Sequence, residues 1–113
     1  MRGLNNSQVM IFAPKGQITL ANIDNFSYKL CKQISLSDCP FFLLDMSEVS
    51  FLDSSGLMVI VRAFRIAQQK GQHFVISGIN EPVKIVFELV RLSEFIDIYE
   101  NRLEFENSLF IAA

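Results

Sequence analysis

Histidine occurs once in these 113 residues and cysteine twice, and both shortages exclude chemistry. A serine nucleophile needs a base within hydrogen-bond reach and an oxyanion site. The lone His73 opens a strand-like run, and neither Ser54 nor Ser55 sits in a Gly-x-Ser-x-Gly elbow. The chain therefore reads as a non-enzyme with no catalytic residues. Cys31 falls in a helical pattern and Cys39 in a turn, without the CxxC spacing of metal or redox sites, so both read as small structural residues in a reducing compartment. The five glycines are scattered singly, with no GxGxxG or GxxxxGK run for a nucleotide. Neither a cofactor nor a bound metal is expected.

Long apolar runs are missing too. None exceeds five residues, and Leu57 to Val61 stops at Arg62, far short of the ~20 residues of a membrane span. Met1 to Gln8 has no apolar core of signal-peptide length. Membrane insertion and export are not expected, and the protein is placed in the cytoplasm. A formal net charge of −2 supplies no basic field for phosphate backbones, so direct nucleic-acid binding is not expected either.

What is present is ordinary globular material, 50% hydrophobic and 19% charged, in a length that suits one domain over residues 1–113. Val9 to Ala13 and Gln17 to Leu20 read as two strands joined by Pro14-Lys15-Gly16, a hairpin. Ile23, Phe26, Leu30 and Ile34 recur at helical spacing behind a candidate cap at Asn22. Phe41 to Leu44 is a continuous apolar run, the expected central strand. After a loop over residues 45–52, Leu57, Ile60, Val61, Phe64 and Ala67 mark a second helix ending at Lys70-Gly71. His73 to Ser77 reads as a strand, Gly78-Ile79-Asn80 as a loop, and Glu81-Pro82 as the start of a third helix with Val83, Val86, Phe87 and Val90 on its face. Phe95 to Tyr99 suits a last short strand and Leu103 to Ile111 a fourth helix. The alternation implies an α/β domain with parallel later strands, made mixed by the opening hairpin.

Most of the chemical information lies in Asp53-Ser54-Ser55-Gly56, which opens the second helix. Asp, Ser and Gly are ordinary cap residues, so the tetrapeptide alone is first a structural signal. Its setting adds to it. Phe51 and Leu52 can staple the loop to the helix, and the amides of a helix N-terminus favour negative charge, so a phosphoryl group on Ser55 is expected to be stabilised in place. Such a group adds about −1.5 to −2 charge, enough to reverse the energetics of a partner surface. Ser55, Met58, Arg62 and Arg65 or Gln69 form a stripe away from the core face, read either as a solvated face or as an adaptable contact surface with a charged rim.

The run Leu43 to Leu57, LLDMSEVSFLDSSGL, closely resembles the signature of the STAS family, the sulphate transporter and anti-sigma factor antagonist domains. The resemblance continues through Gly16-Gln17-Ile18, Gly78-Ile79-Asn80-Glu81-Pro82-Val83 and Leu92-Ser93-Glu94-Phe95-Ile96-Asp97-Ile98-Tyr99, nearly the whole chain. It implies a single stand-alone STAS domain of the bacterial antagonist type, with an α/β fold of four to five strands in a mixed sheet and about four helices. It also implies that Ser55, the second serine of the motif, is the phosphoacceptor, with Asp53, Ser54 and Gly56 shaping its loop and Ser54 supporting rather than accepting. The implied partners are a serine kinase that is also an anti-sigma factor, bound when Ser55 is unmodified and released by phosphorylation, and a metal-dependent serine phosphatase. ATP and metal belong to those enzymes. Thr19 stands where the family usually has an acidic residue, which removes a repulsive charge near the phosphosite and bears on kinase choice; with Met58 and Arg62 it completes the expected partner-binding set. The rival within the same resemblance is a constitutive interaction subunit of a lipid-transport ATPase or a stressosome-like assembly.

Overall fold

The computed structural model describes residues 8–112, with side chains through residue 109. In chain order the elements are β1 (Val9–Phe12), β2 (Lys15–Ile18), α1 (Ile23–Leu36), β3 (Phe41–Asp45), β4 (Glu48–Leu52), α2 (Ser54–Gln69), β5 (His73–Ser77), α3 (Glu81–Leu89), β6 (Asp97–Tyr99) and α4 (Arg102–Ala112). Single 3-10 turns at Leu20–Asn22 and Leu92–Glu94 precede α1 and β6. The α/β architecture with four helices agrees with the sequence. No helix among the described residues is long and apolar enough to cross a membrane.

The strands form a four-stranded sheet in the order β1-β3-β5-β6 and a two-stranded ribbon of β2 and β4, with every pairing parallel. The opening hairpin does not form. β1 is apolar at all four positions and pairs with β3 from Val9 opposite Phe41 to Phe12 opposite Leu44, where Met10 and Phe12 pack against the main core and Val9 against the smaller one, while Ile11 stays exposed at the sheet edge. β2, KGQI, buries only Ile18 and has nothing to offer that environment. Gly16, read above as a turn residue, has a φ of +81° and sits where the β2–β4 register shifts.

The second correction is β4, which lies inside the expected loop. Gly16 pairs with Val49 but Gln17 pairs with Phe51, so Ser50 is the extra residue of a bulge. The bulge lets Val49 and Leu52 both point inward although they are three apart. That spacing erases the period of two by which a strand is recognised.

Strand order advances in one direction, so the right-handed crossovers carry α1, α2 and α3 to one face. Phe42, Leu44, Phe74 and Ile76 meet those helices in the main core, while Leu43 and Val75 turn to the other face beneath Phe105 and Leu109 of α4. A sheet with no reversal of strand order has no crevice at its carboxyl edge, the place where open α/β folds bind their ligands.

The fourth helix is tied down electrostatically. The Arg102 Nε donates to Asp45 Oδ2 at 2.7 Å, and the Asp45 side chain is 8% exposed. Burial opposes ionisation of Asp45, but the backbone N–H and hydroxyl of Ser47 and the Arg102 guanidinium outweigh it and hold the carboxyl below its ordinary pKa. Arg102→Ala is expected to cost about 1–2 kcal/mol, since the arginine is half exposed, and to lower Tm by about 5–10 °C. Because the native pKa is depressed, this contribution is complete above the unfolded value of 3.8 and is lost as pH falls through the native value. Thermal melts should therefore separate the two proteins near neutrality and bring them together as the pH falls through the native pKa of Asp45, which lies below 3.8.

Candidate functional site

The N-terminus of α2 is assembled by β4, which buries Leu52 and leaves Asp53 at the N-cap in extended conformation. Leu52 and Leu57 both enter the core, so the staple forms through Leu52, whereas Phe51 stays 42% exposed. The Asp53 Oδ1 accepts from the backbone N–H of Ser55 at 3.0 Å and of Gly56 at 3.1 Å, and from the Ser55 hydroxyl. Ser55 is half-buried and Ser54 exposed, and the Ser54 hydroxyl makes no hydrogen bond. The support expected of Ser54 thus comes from Asp53.

Gly56 is required by proximity. A Cβ there would lie 2.5 Å from Leu52 Cδ1 and 2.9 Å from Ile18 Cγ2, so the first turn of α2 rests directly on β2 and β4. This contact sets where Ser55 meets solvent.

The same aspartate reaches across the fold. Its Oδ2 accepts from the Leu20 N–H at 2.9 Å, and its own N–H donates to the Ile18 carbonyl at 3.1 Å. The 3-10 turn is held in place by Thr19, whose hydroxyl accepts from the Ala21 N–H while its N–H donates to Asn22 Oδ1 at 2.9 Å. Asn22 stands at the N-cap of α1 as expected but makes no side-chain bond to that helix; its carboxamide serves the preceding turn. Leu20, read as a strand residue, instead projects from this turn, 73% exposed. The Thr-x-x-Asn spacing of a reciprocal cap was the signal available for it.

Electrostatically the site is a closed latch. The Ser55 hydroxyl has the largest influence on Asp53; desolvation opposes it, but with the N–H groups of Leu20, Gly56 and Ser55 added the hydrogen bonds prevail and hold Asp53 below the usual carboxylate pKa. Asp53 is therefore a weak base near neutral pH, suited to orienting the Ser55 hydroxyl rather than taking its proton. The expected phosphate cradle needs correction, because the Ser55 and Gly56 amides are already occupied by Asp53. A phosphoryl group on Ser55 would lose the Oγ–H donor and meet the carboxylate at close range.

Three exposed apolar residues lie close to Ser55 along the chain or through the latch: Phe51 four residues before it, Met58 three after it and 66% exposed, and Leu20, whose N–H Asp53 holds; the exposed Ser54 adds a polar neighbour. Arg62 is exposed but engaged, its guanidinium donating to Ser27 Oγ of α1 at 2.9 Å, and Arg65 and Gln69 continue the stripe in solvent. His73 does not approach the serine. It follows the far end of the 16-residue α2 and faces Asp97 Oδ2 at 3.3 Å and the ring of Phe41.

These features define a class: a small parallel α/β domain that presents a hydrogen-bonded serine on an apolar surface rather than in a cleft. The chain belongs to the STAS domain family, whose model matches residues 4–104. It is 26% identical over 95 residues to the anti-sigma F factor antagonist of Paenibacillus polymyxa, a match that covers 84% of this chain and 81% of that one. The fold is shared with an anti-sigma factor antagonist from Mycobacterium paratuberculosis, TM-score 0.76 at 16% identity over 88% and 84% of the two chains. It is equally shared with a sulfate transporter family protein from Wolinella succinogenes, TM-score 0.80 at 13% identity over 97% and 92%. Fold alone does not separate those two occupations.

Proposed function

We propose that this chain, acting as one STAS domain over residues 1–113 in the cytoplasm, is a partner-switching antagonist of an anti-sigma factor. In its unmodified form it binds a serine kinase that is also the anti-sigma factor, and phosphorylation of Ser55 ends that complex. The observation that carries the reading is the Ser55 hydroxyl, half-buried, held by Asp53 and rimmed by exposed Leu20, Phe51 and Met58. An apolar rim with adaptable Met58 suits a protein partner, which covers Ser55 when it docks. The Oγ attacks the γ-phosphorus of ATP on the kinase, the bond to the ADP oxygen breaks, and the hydroxyl proton passes to a base of the kinase because Asp53 is too weakly basic. The product joins a dianionic phosphate to a loop that already holds a carboxylate. Mutual repulsion then opens the latch and sets charge against the surface that had covered an apolar rim. A metal-dependent serine phosphatase restores the starting form.

Incubation with the kinase and ATP, followed by mass-spectrometric mapping, is expected to place a single phosphoryl group on Ser55. Modification at Ser54 alone, or at neither serine, would overturn the assignment; the second outcome would favour a constitutive interaction subunit.

A further inference from the structure

Between the β1–β2 connection, β2 and the first turns of α1 lies a cavity of about 370 Å³, within the size range of small-molecule sites. Phe12, Ile18 and Phe26 supply an apolar floor, with Ile18 and Phe26 buried. Lys15, Lys29, Asn22, Asn25 and Gln17 are its polar lining residues, and none of its lining residues is acidic. In a chain of net charge −2, two lysines facing one apolar cavity without an acid form a local exception. Neither lysine is held in a strong ion pair. Lys29 has no ion-pair partner among the described residues, and Lys15 only approaches Glu48 at 4.0 Å, with both side chains more than half exposed.

We propose that this cavity binds a small organic anion, with a flat or short apolar body and one carboxylate or phosphate head, and that its occupancy is felt at Ser55. The body covers Ile18 and Phe26 while the head lies between Lys15 and Lys29, which hold an anion as two point charges. The path to the serine is short and continuous. Asn22 Nδ2, on the cavity wall, donates to the Gln17 carbonyl at 2.7 Å, and Asn22 Oδ1 accepts from the Thr19 N–H at 2.9 Å. The next residue, Leu20, donates to Asp53 Oδ2 at 2.9 Å, and Asp53 Oδ1 holds the Ser55 hydroxyl. An anion that draws the Asn22 carboxamide toward itself competes with both of its bonds and shifts the turn that Asp53 grips.

The test needs no kinase. The isotopically labelled full chain is titrated with phenyl phosphate, with inorganic phosphate and benzyl alcohol as separate arms, while amide resonances are followed. Phenyl phosphate is expected to give saturable shifts at Ile18, Asn22 and Lys29, together with shifts at Leu20 and Ser55, and each half-ligand to bind at least about tenfold more weakly. Lys15→Gln and Lys29→Gln should each weaken phenyl phosphate about tenfold, the scale of one lost charged contact. Raised salt should weaken it in the parent protein. Both lysines are exposed, so the melting temperatures of the variants stay at the parent value. Absence of saturation to about 20 mM, benzyl alcohol binding as tightly as phenyl phosphate, or indifference to both lysine variants would overturn the site. Saturation at the cavity with Leu20 and Ser55 unmoved would overturn the coupling.

Discussion

Ser55→Asp is expected to weaken binding to the kinase partner by about a hundredfold or more, equivalent to about 2.7 kcal/mol, while Ser55→Ala stays within about threefold of the parent. The asymmetry follows from the latch. Alanine removes only the hydroxyl that donates to Asp53, and the carboxylate keeps the Ser55 and Gly56 amides and its reach to Leu20. Aspartate puts a second carboxylate where the first must sit, and it adds a charge at the centre of the rim made by Leu20, Phe51 and Met58. A charge desolvated against an apolar partner surface without a counter-ion is costly, and most of that cost appears as faster dissociation. Titration calorimetry of the two variants against the kinase measures the difference directly. Equal affinities would reject switching at Ser55 and leave the constitutive module as the better account. Melting curves must accompany the titrations, since a disturbed latch that unfolded α2 would mimic a binding defect.

The second large effect is on stability. Gly56→Val is expected to cost about 3 kcal/mol and to lower Tm by at least about 10 °C, with Gly56→Ala falling between it and the parent. Even the first added carbon would stand 2.5 Å from Leu52 Cδ1 and 2.9 Å from the branched Ile18 Cγ2, both in buried side chains of the core. The usual gain of about 1 kcal/mol from replacing glycine within a helix is therefore outweighed by overlap. The two further methyls of valine aggravate it. Differential scanning calorimetry of the three proteins checks the order. A valine variant that melts with the parent would mean that α2 does not rest on Ile18 and Leu52 as described. The effect also distinguishes this glycine from a flexible hinge: its work is to bring the helix start close to the ribbon, which is what places Ser55 at the surface.

The helices could be read from the chain because their information is local. Leu30 and Ile34 in α1, Leu57 and Ile60 in α2, and Val83 and Phe87 in α3 repeat at the period of one turn, and all are buried. Asp53 and Asn80 cap their helices through hydrogen bonds two or three residues long, which a sequence displays openly. Strand neighbours were less legible. Pro14 and Gly16 looked like a hairpin turn because a turn and a bulge use the same residues, whereas pairing with β3 brings Met10 and Phe12 against the main core. β4 was hidden by the bulge at Ser50, which breaks the alternation that marks a strand.

For the site the division is the same. The sequence alone determined that Asp53-Ser54-Ser55-Gly56 begins a helix and that Met58 follows on its outer side. Only the tertiary structure decided that Asp53 also holds Leu20, 33 residues away, that Arg62 is engaged by Ser27, and that the amides expected to receive a phosphate are already filled. Local periodicity and capping specify which face of each element is apolar and where it starts. Which elements then lie side by side is settled by the burial of all those faces at once, and hydrogen bonds between distant residues exist only after that packing is complete.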